Sequence, residues 1–143
     1  MTPSIRGSFG AVALGLLLLV GCGPKADATK TADAQASFDA AMKAFDDGDS
    51  QTAITEITTA IEIGGLSPDQ FGEGRIKRAI SYARTGDFAA AHADLDIAEQ
   101  GAALDEVQVA RSYVFHKEGK RKESTQAMAE AKKLNRLAKP IKD

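Results

Sequence analysis

The stretch Arg78-Ala79-Ile80-Ser81-Tyr82-Ala83-Arg84-Thr85-Gly86-Asp87-Phe88 runs through a glycine from one helix-forming segment straight into the next. Gly86 suits that junction, because glycine takes the left-handed conformation that ends a helix at little steric cost. Two more glycines sit in matching surroundings: Gly48, 38 positions earlier, and Gly119, 33 positions later. Aligned on these three, the sequence agrees in four columns. Seven positions before each glycine stands a small residue, Ala41, Ala79 or Ser112, and five positions after it stands another, Ala53, Ala91 or Ser124. Nine positions after comes a larger apolar residue, Ile57, Leu95 or Met128, and twelve after comes Ala60, Ala98 or Ala131. Self-similarity of this period marks a repeat of one supersecondary unit.

The columns have a physical meaning. Each copy reads as a helix, a tight turn and a second helix packed antiparallel. Small residues stand where the two backbones cross closely, and the larger apolar residue fills the space beside them. One pair cannot bury its apolar face alone, so copies stack. The competing reading is a bundle of alanine-rich helices whose glycines coincide by chance. After the first copy, Ser67-Pro68-Asp69-Gln70 predicts a helix start, with Ser67 as cap, Pro68 in the first turn and Gln70 returning to the cap. The expected fold is all-α, patterned over residues 34–138, with repeats near 34–67, 72–104 and 105–138.

The 143-residue chain has room for one ordinary domain. Its single cysteine, Cys22, rules out an internal disulfide, so packing alone must stabilise it. Residues 1–21 read as a targeting segment: Arg6 supplies a positive start, and an apolar run from Phe9 to Gly21 follows. That run of 13 residues falls short of the roughly 20 a bilayer-crossing helix needs. Residues 23–32 lack apolar periodicity, so residues 22–33 are expected to form a flexible tether.

The sequence Leu19-Val20-Gly21-Cys22 resembles the lipobox of bacterial lipoproteins. The resemblance implies that Cys22 receives diacylglycerol and that the signal peptide is removed after Gly21. Several acyl chains anchor stably, at about 0.8 kcal/mol per buried methylene. Gly23, where an aspartate favours inner-membrane retention in that family, points to the outer membrane and a domain facing the periplasm.

The repeats resemble the tetratricopeptide (TPR) family over roughly Ala34 to Ala138. Gly86-Asp87-Phe88, with Tyr82 before it and Ala91, Asp94, Leu95 and Ala98 after it, carries the likeness best. The family's aromatic near the start of the first helix is replaced by Ser37, Arg75 and Gln108, and its closing proline by Gly65, Ala103 and Arg136. The resemblance implies a short right-handed superhelix of about three stacked helix-turn-helix repeats. It implies an ion pair between Arg78 and Asp94 on facing helices. It also implies a concave groove lined by the first helix of each pair. The groove positions are Phe38, Met42 and Phe45 in copy one, Ile76, Ile80, Ala83 and Arg84 in copy two, and Val109, Tyr113, His116 and Lys117 in copy three. Such a surface would hold a protein or peptide segment. Burial of several of these residues as ordinary core is the competing reading.

Composition narrows the function classes. With 18 basic and 20 acidic residues the chain lacks the excess of positive charge expected of a nucleic-acid binder. Charge is nonetheless uneven: residues 117–143 hold 9 bases and 4 acids. That end could meet an acidic partner or anionic lipid, or simply be a solvated helix end. The only histidines, His92 and His116, fall in different copies with no metal-ligand spacing. No phosphate-cradling loop appears. No cofactor, metal or catalytic residue is expected. The expected function is a membrane-tethered interaction module of the cell envelope, anchored through Cys22. A self-associating structural unit is the alternative, and an envelope enzyme the more distant one.

Overall fold

The computed structural model describes residues 25–142. The targeting segment and Cys22 lie outside the described residues. Those described form six helices and no strand: α1 (Lys25–Asp46), α2 (Ser50–Ile63), α3 (Pro68–Thr85), α4 (Phe88–Ala98), α5 (Leu104–Lys117) and α6 (Arg121–Leu134). The described part of the chain is all-α, as expected. α1 packs on α2, α3 on α4 and α5 on α6; each pair joins the next through α2 on α3 and α4 on α5. The odd-numbered helices also touch one another in order, α1 on α3 and α3 on α5.

The three glycine turns are built alike. Gly48, Gly86 and Gly119 have φ of 80°, 90° and 83°. In each, the residue after the glycine donates its N–H back five positions: Asp49 to Ala44 at 2.8 Å, Asp87 to Tyr82 at 2.9 Å and Lys120 to Phe115 at 2.9 Å. These bonds satisfy carbonyls that the ending helix would otherwise leave open. Asp49 and Asp87 then cap α2 and α4 by accepting from the N–H of Thr52 and Ala90, whereas Lys120 caps α6 with no side-chain bond.

The repeat columns form the packed seams. Ala41, Ala53, Ile57, Ala60, Ala79, Ala91, Leu95, Ala98 and Ala131 are buried. In the last pair, Ser112 and Ser124 replace the two alanines. Each hydroxyl donates to the other's backbone carbonyl at 2.9 Å, so the polar substitution is satisfied inside the seam. The main core gathers the inner faces of α3, α4 and α5 around Leu95, Val107 and Val114.

The segments between pairs differ. Ser67 and Gln70 form the expected reciprocal cap, Gln70 N–H to Ser67 Oγ at 3.2 Å and Ser67 N–H to Gln70 Oε1 at 3.1 Å. Within α3, Gly72 brings the helix against Ala102, where an added Cβ would lie 2.9 Å from the Ala102 methyl. Gly74 faces Ile57 and Phe38.

One expectation is corrected. Residues 25–33, placed in a flexible tether, belong to α1. Thr31 lies against Gly65 of the α2–α3 connection, Ala34 is fully buried, and Gln35 accepts a hydrogen bond from the Gln70 amide at 2.7 Å. An anchored helix propagates into a preceding run of alanines and other helix-tolerant residues at little cost, without an apolar stripe of its own. No helix among the described residues is long and apolar enough to cross a membrane.

Candidate functional site

The odd-numbered helices share one face of the domain, and two clefts open on it. The larger, about 560 Å³, lies between α3 and α5. Its apolar surface is Ile76 and Ile80 from α3 and Val109 and Ala110 from α5, with Phe45 of α1 at the side. The other, about 450 Å³, lies between α5 and α6 and is lined by Val109, Tyr113, His116, Met128 and Lys132 among others. Val109 belongs to both.

Charge in the larger cleft is sorted along its length. Asp105 and Glu106 come from the first turn of α5, where carboxylates also complement the helix dipole, and Glu73 from the second turn of α3. Arg84 comes from the last turn of α3. Its guanidinium lies 4.7 Å from the centre of the Phe45 ring, which Lys77 Nζ approaches at 4.5 Å. Two cations on one ring draw on its quadrupole. Nη1 of Arg84 is buried yet meets no hydrogen-bond acceptor in the protein. A buried charged donor without an acceptor is costly, and Arg75 Nε and Arg111 Nε, outside the two clefts, share that state.

No family model, no curated protein and no solved structure matches this chain. The site therefore stands on its own geometry.

The groove positions taken from the resemblance divide three ways. Phe45, Ile76, Ile80, Arg84 and Val109 line the larger cleft, and Tyr113 and His116 the smaller, but Ile76, Ile80 and Tyr113 are at the same time buried members of the main core, as the competing reading expected of several positions. Ala83, although beside Arg84, is buried in the core. Phe38 is 5% exposed and packs beside Gly74 and Ile57, which makes it part of the α1–α2–α3 seam. Met42 and Lys117 line neither cleft, Met42 being half-buried on α1 and Lys117 exposed at the end of α5 with its ammonium 5.9 Å from the Tyr113 ring centre.

Arg78 and Asp94 pair as expected, away from the clefts. Arg78 Nε donates to Asp94 Oδ2 at 2.7 Å and Nη2 to Oδ1 at 2.8 Å, a fork that fits a carboxylate. Arg75 adds a third donor at 2.7 Å, and Arg78 Nη1 reaches Thr58 of α2 at 2.8 Å. The Asp94 hydrogen bond is the main cause that holds the Arg78 guanidinium above its ordinary value; burial opposes it, and the attraction of the Asp94 charge adds to it. Arg111, the equivalent residue of the last pair, turns instead to Asp96 at 3.0 Å and Glu99 at 3.3 Å.

Titratable groups elsewhere serve the helix ends. Glu118 is held below the usual glutamate range, chiefly by its hydrogen bond from Lys120 and next by that from His92. His92 Nε2 lies 3.0 Å from Glu118 Oε2, with its ring tilted on Phe115. Among the described residues no three His, Cys, Asp or Glu side chains gather as a metal site would require.

Some cleft residues escaped sequence reasoning. Lys77, Glu73, Asp105 and Glu106 lie on the walls, and helical spacing from Ile76, Ile80 and Val109 was the signal available for them. Asn135, Ala138, Ile141 and Lys142, which follow α6, also line the larger cleft. No periodic signal marks those four.

Proposed function

We propose that this chain is a lipid-anchored module of the bacterial cell envelope that binds an extended segment of a partner protein between α3 and α5. The observation that carries the reading is the larger cleft: an apolar strip edged by the Arg84 guanidinium at one end and by Asp105 and Glu106 at the other. Grooves that recognise peptides combine apolar contact with a few fixed polar groups in this way. The arrangement proposed for the six helices is a short right-handed superhelix of three TPR-like repeats. Three turns with the same hydrogen bonds and the burial of the repeat columns support it. Anchorage through a lipid on Cys22, most simply in the outer membrane with the domain in the periplasm, is supported by Leu19-Val20-Gly21-Cys22 and Gly23. The module acts by binding and not by catalysis, and needs no cofactor.

In-cell crosslinking followed by capture of the full chain from membranes tests the reading. A defined envelope partner is expected, and Arg84→Glu with Val109→Glu should release it while leaving helicity unchanged. Recovery of the same partner by this double variant would overturn the groove assignment. Replacing Cys22 with Ser should abolish lipid labelling and processing.

Self-association is the second reading, and one observation favours it. Leu134 and Leu137, at and beyond the end of α6, are 56% and 82% exposed. Sedimentation over a range of concentrations separates the two: a monomer throughout excludes this reading.

A further inference from the structure

One wall of the larger cleft is built by a non-helical segment of the chain itself, through Asn135, Ala138, Ile141 and Lys142. After α6 ends at Leu134, the backbone turns at Asn135: Leu137 N–H donates to Asn135 Oδ1 at 3.0 Å and Ala138 N–H to the Asn135 carbonyl at 3.0 Å. The Asn135 amide donates to Asp105 Oδ2 at 2.8 Å, fixing the turn at the start of α5. From there the chain runs without helical or strand structure along α5. Ile141 is half-buried, packs against the main core and lines both clefts, while Lys139, Pro140 and Lys142 around it are exposed. One aliphatic side chain seated among apolar residues, with exposed polar neighbours on either side, is the pattern of a docked peptide and not of a core element.

We propose that this C-terminal segment is an internal ligand of the cleft. It would occupy the partner's seat and be displaced on binding. The inference rests on the groove reading and names the ligand class for it: an extended segment with one aliphatic anchor in the place of Ile141. The charges on the cleft walls are mixed, Glu73, Asp105 and Glu106 with Lys77, Arg84 and Lys142, so the apolar anchor is the specific element. Tethering gives such a ligand an effective concentration on the order of millimolar, so a free competitor binds the intact chain more weakly than a chain whose tail is out of the cleft.

The probe is a fluorescent peptide of residues 136–143, Arg-Leu-Ala-Lys-Pro-Ile-Lys-Asp, titrated by anisotropy. Three proteins are compared: the full chain, the full chain carrying Ile141→Asp, and a chain ending at Asn135. Ile141→Asp and the shortened chain should bind the peptide saturably and at least about tenfold more tightly than the unaltered chain, following the effective-concentration argument. A peptide carrying Ile141→Asp should not bind. Were the shortened chain to unfold, the Ile141→Asp protein would decide the matter alone. Absence of binding to a folded Ile141→Asp chain overturns the proposal, and so does unfolding of that chain, which would make the segment a structural brace. The groove reading fails separately. Partner capture that is lost with Arg84→Glu and Val109→Glu but indifferent to Ile141→Asp removes the tail from the mechanism and leaves the groove in place. Peptide binding with no partner affected by the double variant does the reverse.

Discussion

Replacing Asp94 with Ala should be among the most damaging single changes to the described domain. Asp94 is 4% exposed and accepts three hydrogen bonds of 2.7–2.8 Å from two guanidinium groups whose side chains are themselves 13% and 11% exposed. Removing the carboxylate leaves both cations poorly solvated and without their acceptor. Breaking a buried pair from one side costs about 3–5 kcal/mol, set against a total stability of roughly 5–15 kcal/mol for a domain. Removing Arg78 alone is less severe. In an Arg78→Met chain Asp94 keeps the Arg75 bond, so the loss should be about 1.5–3 kcal/mol, the worth of hydrogen bonds to a charged group. The Arg78 bond to Thr58 adds to that loss, because it ties α2 to the α3–α4 pair. Replacing Arg75, Arg78 and Asp94 together by Met, Leu and Leu should recover much of the Asp94→Ala loss, since an unpaired buried charge is worse than no charge. Urea unfolding followed by circular dichroism measures each variant. The reasoning fails if Asp94→Ala costs under about 1 kcal/mol, or if the triple replacement is as unstable as Asp94→Ala, because neither is compatible with a desolvated pair.

Three further outcomes are expected. Gly72→Ala and Gly74→Ala should move thermal stability in opposite directions although the glycines lie two positions apart in one helix. A Cβ at Gly72 would meet Ala102 at 2.9 Å from its methyl and 3.3 Å from its Cα, and overpacking of that kind costs about 1–3 kcal/mol. At Gly74 the nearest atoms, of Ile57 and Phe38, lie at 3.4 Å, an ordinary contact, so the gain in helix propensity of about 0.8–1 kcal/mol should prevail. Gly86→Ala should destabilise by about 1 kcal/mol by forcing a side chain into φ of 90°, measurable by the same unfolding curves. Acid should weaken the cap of α2: Asp49 is held below its ordinary 3.8, first by the Thr52 hydroxyl and then by the Thr52 N–H. A lowered folded-state value means that this stabilisation is complete above 3.8 and disappears as pH falls through the folded-state value. Asp49→Asn, which keeps the cap but cannot titrate, should flatten that part of the stability–pH curve; an unchanged acid limb would rule out Asp49 as a contributor.

Much of the fold was legible because it recurs. The columns around Gly48, Gly86 and Gly119 report one physical problem, the close crossing of two helices beside a left-handed turn, solved three times with nearly the same residues. Even the departure at Ser112 and Ser124 keeps the rule, since both positions change together and bond to each other. The start of α1 was not legible for the opposite reason. Residues 25–33 carry no apolar stripe, and what holds them helical is α1's own anchored continuation and the contact of Thr31 with Gly65. A contact between residues 34 positions apart leaves no trace in local periodicity.

The site divides along the same line. Residues at helical spacing on α3 and α5, such as Ile76, Ile80 and Val109, could be placed on one face from the sequence, and the cleft contains them. Phe38 sits at an equivalent register and is buried against Gly74 and Ile57 with no cleft above it, whereas Ile76 and Ile80, just as buried, form the floor of one. Register fixes direction; the partner helix fixes whether that direction is surface or core. The C-terminal segment lies beyond both signals. Among the described residues α6 packs on α5 alone, so its far side is not covered by another helix of this set. Some of that uncovered apolar surface is met by Ile141, a single aliphatic residue in a charged and proline-containing tail. A helix closing that end would have to repeat apolar residues every three or four positions and would bury them permanently. One isolated anchor closes it only weakly. That difference separates a fixed cap from a ligand that another peptide can replace.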